Sequence, residues 1–380
     1  MSRVRVPDLS ACRRVLIVKL SALGDVVHAL PTAAAIKKSF PHLEVDWVVE
    51  PLAAPLLEMC PLLTRIFVAP KKRRVKRFGP EAARDFLLLC RELRGRRYDV
   101  ALDLQGLTKS AVLAVCSGAR NRIGYNWLRE LAPMLERRVP RRPESVHVVD
   151  QLLDVARHLG AEVRSPEFPM TVPEVDLNTA KEKLMKAGLA PGQRFLVLNP
   201  TAGGGGGQKG LTADTMAEVM DAVGRETGIP WVLVGAASDA ARAEAVLHQV
   251  HVPAFNLVGQ TSVRELAAVI LLAETHVSGD SGSAHIAAAL GTPPVTVYGR
   301  SNPARVGPYG YARFVVDARR YCSDRCRRYH ERPEVNLPAV CVSRDAVCMS
   351  RVTVSDVVPV VLMALEESAR RAAGQELGVQ

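Results

Sequence analysis

Apolar runs of strand length alternate with helical patterns along this chain, and the alternation occurs twice over. In the first series RVLIVKL (14–20), EVDWVVE (44–50), RIFVAP (65–70) and DVALDL (99–104) read as buried strands, with PTAAAIKKSF and EAARDFLLLCREL at helical spacing between them. The pattern restarts at RFLVLNP (194–200) and continues through PWVLVGA (230–236), AFNLVG (254–259), THVSGD (275–280) and PVTVYG (294–299). Between these fall TADTMAEVMDAVGRE, DAARAEAVLHQV, VRELAAVILLAE and SAHIAAAL. Strands that alternate with helices imply parallel sheets covered by helices. A chain of 380 residues exceeds one ordinary core. Two Rossmann-like α/β domains facing across a cleft are the expectation, with ligands at the carboxyl ends of the strands. SPEFPMTVPEVD (165–176) carries three prolines and reads as the linker. The expected division is 1–170, 171–352, and a closing helical segment, 353–380.

Charge narrows the partners. Lys and Arg number 50 against 39 Asp and Glu, a formal +11. Such an excess favours an anionic partner. The basic groups KKRRVKR (71–77), RELRGRR (91–97) and RRVPRRP (137–143) all lie in the N-terminal half, so that half is expected to meet the anion. Aromatic residues make up only 5%, which argues against a base-stacking platform and hence against nucleic acid. The stretch VVPVVLMAL (357–365) is too short for a membrane span, and the basic N-terminus lacks the small-residue cleavage site of a secretion signal. A cytoplasmic protein with peripheral membrane contact is expected.

Three strand ends carry candidate chemistry. VSGDSGSAHIAAAL places Asp280, Ser281, Gly282 and Ser283 between a strand and an alanine-rich helix, with His285 one turn in. Backbone N–H groups at a helix start form a phosphate site without a side-chain cation; an ordinary strand–turn–helix with Asp280 or Ser281 as cap is the plainer alternative. NPTAGGGGGQKGLT (199–212) leads through five glycines to Lys209 but lacks the P-loop frame, because Gly210 stands where a hydroxyl is needed. It reads as a glycine loop that delivers a lysine to a diphosphate, or as a solvated surface loop. In SALGDVVHALP (21–31), Asp25 follows a strand and opens a helix whose Val26, Val27, Leu30 and Ala34 suit one buried face. Asp25 is either a helix cap or a general base.

Taken together, these stretches resemble the ADP-heptose–lipopolysaccharide heptosyltransferases, glycosyltransferase family nine. The likeness is carried by VLIVKLSALGDVVHALP (15–31), YDVALDLQGLTKSAVLA (98–114) with RIGYN (122–126), HVVDQLLDVARHLG (147–160), and GQTSVRELAAVILLAETHVSGDSGSAHIAAALGTPPVTVYG with NPARVGPYG (259–310). The resemblance implies a GT-B fold with an N-terminal acceptor domain, a C-terminal nucleotide-sugar domain and a last helix that packs back on the first. It implies inverting transfer of heptose from ADP-heptose to an anionic Kdo-lipid A or heptosylated core acceptor at the inner membrane, with no cofactor required. Asp25 becomes the base and Lys209 the diphosphate lysine. Ser21, Gly24, Thr201, Asp239, Thr261, Asp280, Ser281, Gly282, Ser283 and His285 line the donor site. Arg73, Arg74, Arg77, Gln105, Lys109 and His147 fall to the acceptor, although His147 reads equally as a structural histidine and the arginines as a solvated loop.

The donor loop departs from the family pattern. Leu211 stands where members commonly have tryptophan, and the ribose acid is read as Asp239, with Glu244 as the weaker choice. Another acceptor, such as a protein hydroxyl, or another nucleotide-sugar is therefore the alternative within the class. A GT-B-like nucleotide-sugar epimerase and a non-catalytic lipid-core-binding paralogue are the alternatives outside it. Finally, Cys322, Cys326, Cys341 and Cys348 cluster at C-x3-C and C-x6-C spacing. They read as reduced thiols, a redox-sensitive disulfide, or a structural zinc or iron site.

Overall fold

Val15, Leu16, Ile17 and Val18 are fully buried along their strand, as expected where helices cover both faces of a sheet. In the computed structural model, which describes residues 7–70, 80–201, 210–299, 301–322 and 348–374, the chain divides into two units, Met1–Thr171 and Val172–Gln380. The division falls within the proline-containing stretch 165–176.

The first unit is a parallel sheet of β1 (Arg14–Val18), β2 (Glu44–Val49), β3 (Arg65–Val68), β4 (Val100–Asp103), β5 (Asn121–Tyr125) and β6 (Arg137–Val139), in the order β3-β2-β1-β4-β5-β6. Ile17 at its centre aligns with Trp47 on one side and Leu102 on the other. Its principal helices are α1 (Leu23–Ser39), α2 (Pro80–Gly95), α3 (Thr108–Cys116) and α4 (Val148–His158). Sequence spacing gave α1 one buried face; instead every residue from Val26 to Ile36 is buried, because α4 packs against it and its run of alanines admits close approach.

The second unit repeats the design with β7 (Leu196–Asn199), β8 (Trp231–Leu233), β9 (Ala254–Asn256), β10 (His276–Gly279), β11 (Pro294–Tyr298) and β12 (Val315–Asp317), in the order β12-β11-β10-β7-β8-β9, again parallel. Its principal helices are α5 (Glu174–Lys186), α6 (Ala213–Thr227), α7 (Ala240–Leu247), α8 (Val263–Leu272), α9 (Gly282–Leu290) and α10 (Val354–Ala372). Helix α10, expected on the N-terminal domain, packs along α6 and against β11 and β12. It buries Val357, Val361, Ala364 and Leu365, whose spacing makes one helical stripe.

Strand order reverses between β1 and β4 in the first sheet and between β7 and β10 in the second. At such a switch point neighbouring connections leave in opposite directions and open a crevice beyond the strand ends. Asp25 follows β1 and Gln105 follows β4. Thr201 follows β7 and Asp280 follows β10. The topology therefore gathers these residues at two crevices, one in each unit.

Candidate active site

The first crevice is built from backbone locks. Asp25 is the third residue of α1, and its Oδ2 accepts the Ala22 N–H at 3.0 Å. Its side chain remains 47% exposed. The loop before it is held by Gln105, whose Oε1 accepts the N–H groups of Leu20 (3.0 Å) and Ser21 (3.2 Å). Gln105 is itself placed by Asp103, which accepts the N–H groups of Gln105 and Gly106 and the Ser110 hydroxyl, each at 2.8 Å. Asp103 is fully buried, and Glu136 is buried beside it. Burial and the adjacent Asp103 charge push Glu136 up to about 9. Burial raises Asp103 as well, while its three donors favour its charged form.

Two other expected acceptor residues are engaged within the first unit. Lys109 Nζ pairs with Glu50 at 2.8 Å. His147 is the N-cap of α4, its Nδ1 accepting the Val149 N–H at 3.1 Å, and its ring meets His28 edge-on at 5.6 Å. Arg73, Arg74 and Arg77 lie outside the described residues, as do Lys209, Cys326 and Cys341.

The second crevice centres on the start of α9. Ser281 is its N-cap but makes no side-chain cap; its hydroxyl instead joins Ser278 (3.0 Å) and Ser283 (2.9 Å). The Ser281 side chain thus caps none of the first N–H groups of the helix, and the positive end of the helix dipole stands behind them. Asp280 Oδ2 accepts the Ser301 hydroxyl at 2.6 Å, and the Tyr298 hydroxyl, raised far above its usual range by burial and the Asp280 charge, lies beside it. Thr201 is fixed by Asn199, whose Oδ1 accepts both its N–H and its hydroxyl at 3.1 Å, while Asn199 Nδ2 donates to Ser283 at 2.9 Å. His285 is buried one turn into the helix. Beneath it His276 is fully buried and pushed down to about 3, first by burial and then by His285, so it is neutral.

Further along the strand ends, Asp239 Oδ2 accepts the Ala236 N–H at 2.8 Å, and the turn it closes touches the loop leading to Thr261. Gly259 makes that approach possible: its φ is +74°, and a Cβ there would lie 3.0 Å from the Ala237 Cα. Glu244 is exposed on α7. Arg242, also on α7, donates to the carbonyls of Pro200 (2.7 Å) and Leu211, and so ties together the two ends of the glycine-rich segment.

With this geometry in hand, similarity to known proteins is decisive. The profile of glycosyltransferase family 9 (heptosyltransferase) matches residues 86–335. The chain belongs to glycosyltransferase family 9. It is 30% identical over 300 residues to the lipopolysaccharide heptosyltransferase 1 of Pseudomonas aeruginosa, covering 78% of this chain and 81% of that protein. To the lipopolysaccharide core heptosyltransferase OpsX of Haemophilus influenzae it is 25% identical over 355 residues, covering 92% and 96%. The structure of E. coli heptosyltransferase WaaC with ADP superposes with a TM-score of 0.68 at 23% identity, over 93% of this chain and 99% of that one. The family 9 protein is thus a glycosyltransferase of GT-B fold, as the sequence led us to expect.

Sequence reading singled out the ends of β1 and β10 but gave no role to Lys19, Asp103, Asn199 or Arg242, although Lys19 and Asp103 lie within the stretches that carry the family likeness. A lysine and an aspartate inside otherwise apolar strand runs were the available signals for the first two. Among the described residues no group of three His, Cys, Asp or Glu is placed to hold a metal, with Cys322 half-buried and Cys348 buried. Also among the described residues, no helix is long and apolar enough to cross a membrane.

Proposed function

We propose that this family 9 glycosyltransferase moves heptose from ADP-heptose to an anionic lipopolysaccharide inner-core acceptor, Kdo-lipid A or a heptosylated core, with inversion and with Asp25 as general base. The observation that carries this reading is the half-exposed Asp25 carboxylate, fixed at the switch-point end of β1 by the Ala22 N–H. In the transfer, an acceptor hydroxyl oxygen bonds to the anomeric carbon as the bond to the diphosphate oxygen breaks. The bonding pair leaves with ADP, and the hydroxyl proton passes to Asp25. The N–H groups opening α9, together with Lys209, stabilise the departing diphosphate. Asp280, Thr201, Thr261, Asp239, Ser281, Ser283 and His285 bind the donor. In this reading Ser21 and Gly24 shape the donor side of the Asp25 loop.

The first unit takes the acceptor. Its Arg73, Arg74 and Arg77 pair with Kdo carboxylates and lipid phosphates, and they bring the protein peripherally to the cytoplasmic face of the inner membrane. The second unit takes the nucleotide-sugar, in line with the ADP named in the WaaC structure. Catalysis needs no metal; a zinc or iron held by the late cysteines would be structural.

The test is transfer from ADP-heptose to purified Kdo-lipid A without divalent metal, comparing wild type with Asp25→Ala. Turnover by the wild type, and its loss in Asp25→Ala with ADP binding intact, supports the reading. A wild type that binds ADP-heptose but does not transfer rejects this acceptor. Absence of ADP-heptose binding rejects the donor.

A further inference from the structure

Lys19 is a charge in an unfavourable place. It lies one residue beyond β1 and is only 4% exposed. Its backbone is locked, the N–H donating to Val48 O at 3.3 Å and the carbonyl accepting the Trp47 indole N–H at 3.0 Å. Its Nζ donates to the Leu104 carbonyl at 3.0 Å. A buried ammonium is costly without a close anion, and this one also stands near the start of α1, where the helix dipole disfavours a cation. The anion it meets is Asp25, whose Oδ1 lies 4.0 Å from Nζ.

A leucine or methionine here would avoid burying a charge, at the loss of the bond to the Leu104 carbonyl. A buried charge in an otherwise apolar strand run points to a functional position. The geometry of Asp25 supplies the function. One carboxylate oxygen is taken by the Ala22 N–H and the other faces the ammonium, so the plane of the carboxylate is set from two sides while an edge stays open to solvent.

The other ionisable groups on the surrounding elements are engaged elsewhere. Glu50, after β2, and Lys109, on α3, pair with one another. Asp103, at the end of β4, accepts from Gln105, Gly106 and Ser110. His147 at the start of α4 caps its helix, and His28 on α1 packs on the His147 ring.

We infer that Lys19 is a positioning residue for the transfer reaction, holding the Asp25 carboxylate in the orientation from which it accepts the hydroxyl proton. This inference rests on the reading of Asp25 as base. It assigns Lys19 no contact with either substrate.

The test compares Lys19→Met, Lys19→Arg and Asp25→Asn with wild type in the transfer assay, with folding followed by circular dichroism. In Lys19→Met kcat falls about tenfold or more, and KM for ADP-heptose stays within about twofold of wild type, a split that a general loosening of the fold would not give. Lys19→Arg keeps a cation facing the carboxylate, so it recovers part of kcat and is faster than Lys19→Met.

A fall in kcat for Lys19→Met with a parallel rise in KM for ADP-heptose, or a Lys19→Arg no faster than Lys19→Met, overturns the inference and makes Lys19 structural. Wild-type kcat in Lys19→Met also overturns it. If Lys19→Met does not fold, Lys19→Arg decides: a lowered kcat at unchanged KM supports the inference, and kcat and KM changed together, or neither changed, count against it. The base reading is judged separately: wild-type activity in Asp25→Asn removes it, whereas an inactive Asp25→Asn beside wild-type kcat in Lys19→Met removes only the role of Lys19.

Discussion

The carboxyl groups of Asp103 and Glu136 are buried side by side, 33 residues apart in sequence, and burial together with the Asp103 charge raises Glu136 to about 9. Asp103 in turn sets the backbone from which Gln105 reaches the loop before Asp25. A buried acid therefore lies two steps behind the candidate base.

This pair gives the first prediction, the pH dependence of stability. The folded-state value of Glu136, about 9, is raised above its ordinary 4.5. The folded state holds a proton that the unfolded chain has released, so the contribution is fully present below about 4.5 and is lost as pH rises through about 9, at up to roughly 1.4 kcal/mol per pH unit. Glu136→Gln keeps a neutral side chain of the same shape. Urea unfolding midpoints across pH 5 to 9 should fall for wild type and fall less for the variant. Parallel curves would show that Glu136 is already ionised in the folded protein.

Gln105→Leu leaves the N–H groups of Leu20 and Ser21 without their acceptor. Unsatisfied donors cost about 1–3 kcal/mol each where water cannot reach them. The expected outcome is a lower melting temperature together with a fall in kcat of about tenfold, from displacement of the Asp25 loop. Calorimetry and transfer rates read the two effects. A variant with unchanged rates would restrict Gln105 to a structural role.

In the second unit Asn199→Ala removes the link between Thr201 and Ser283. Three hydrogen bonds are lost, each worth about 1 kcal/mol to the loop, and ADP binding should weaken by at least about fivefold. Isothermal titration with ADP measures it directly. Undiminished affinity would show that the link does not shape the nucleotide site.

Gly259→Ala forces a side chain into a left-handed conformation and against the Ala237 backbone. The strain should cost about 1–2 kcal/mol of stability, and it should separate the Asp239 turn from the Thr261 loop. Donor KM should therefore rise while acceptor KM stays near wild type. Equal changes in both would place the effect in the fold rather than in donor recognition.

Most of this architecture was legible because buried parallel strands announce themselves as apolar runs. The exceptions were short or polar. β6 is an edge strand that opens with Arg137 and Arg138, both exposed, so its sequence carries no apolar period. In β5 only Ile123, Gly124 and Tyr125 are buried, and its Asn121 and Arg122 disguise the start. The places of Asp25, Asp280 and Ser283 between a strand and a helix were legible, because strand ends before helices are where backbone N–H groups and short polar side chains collect. The parts played by Lys19, Asn199 and Arg242 were not, because the Leu104 carbonyl, Ser283 and the Pro200 and Leu211 carbonyls that they hold lie far away in sequence; Asp103 has near partners, but its burial shows only in the folded sheet. Arg242 grips carbonyls 42 and 31 residues before it, and no local pattern encodes that distance.

The enclosure of α1 has a consequence for motion. A helix buried on every side from Val26 to Ile36 cannot loosen by itself, so its amides should exchange with solvent only when the whole first unit opens. Asp25 sits one residue before this slow-exchanging block. Its carboxylate is presented to solvent, yet the backbone beneath it is anchored in the part of the unit that is last to yield.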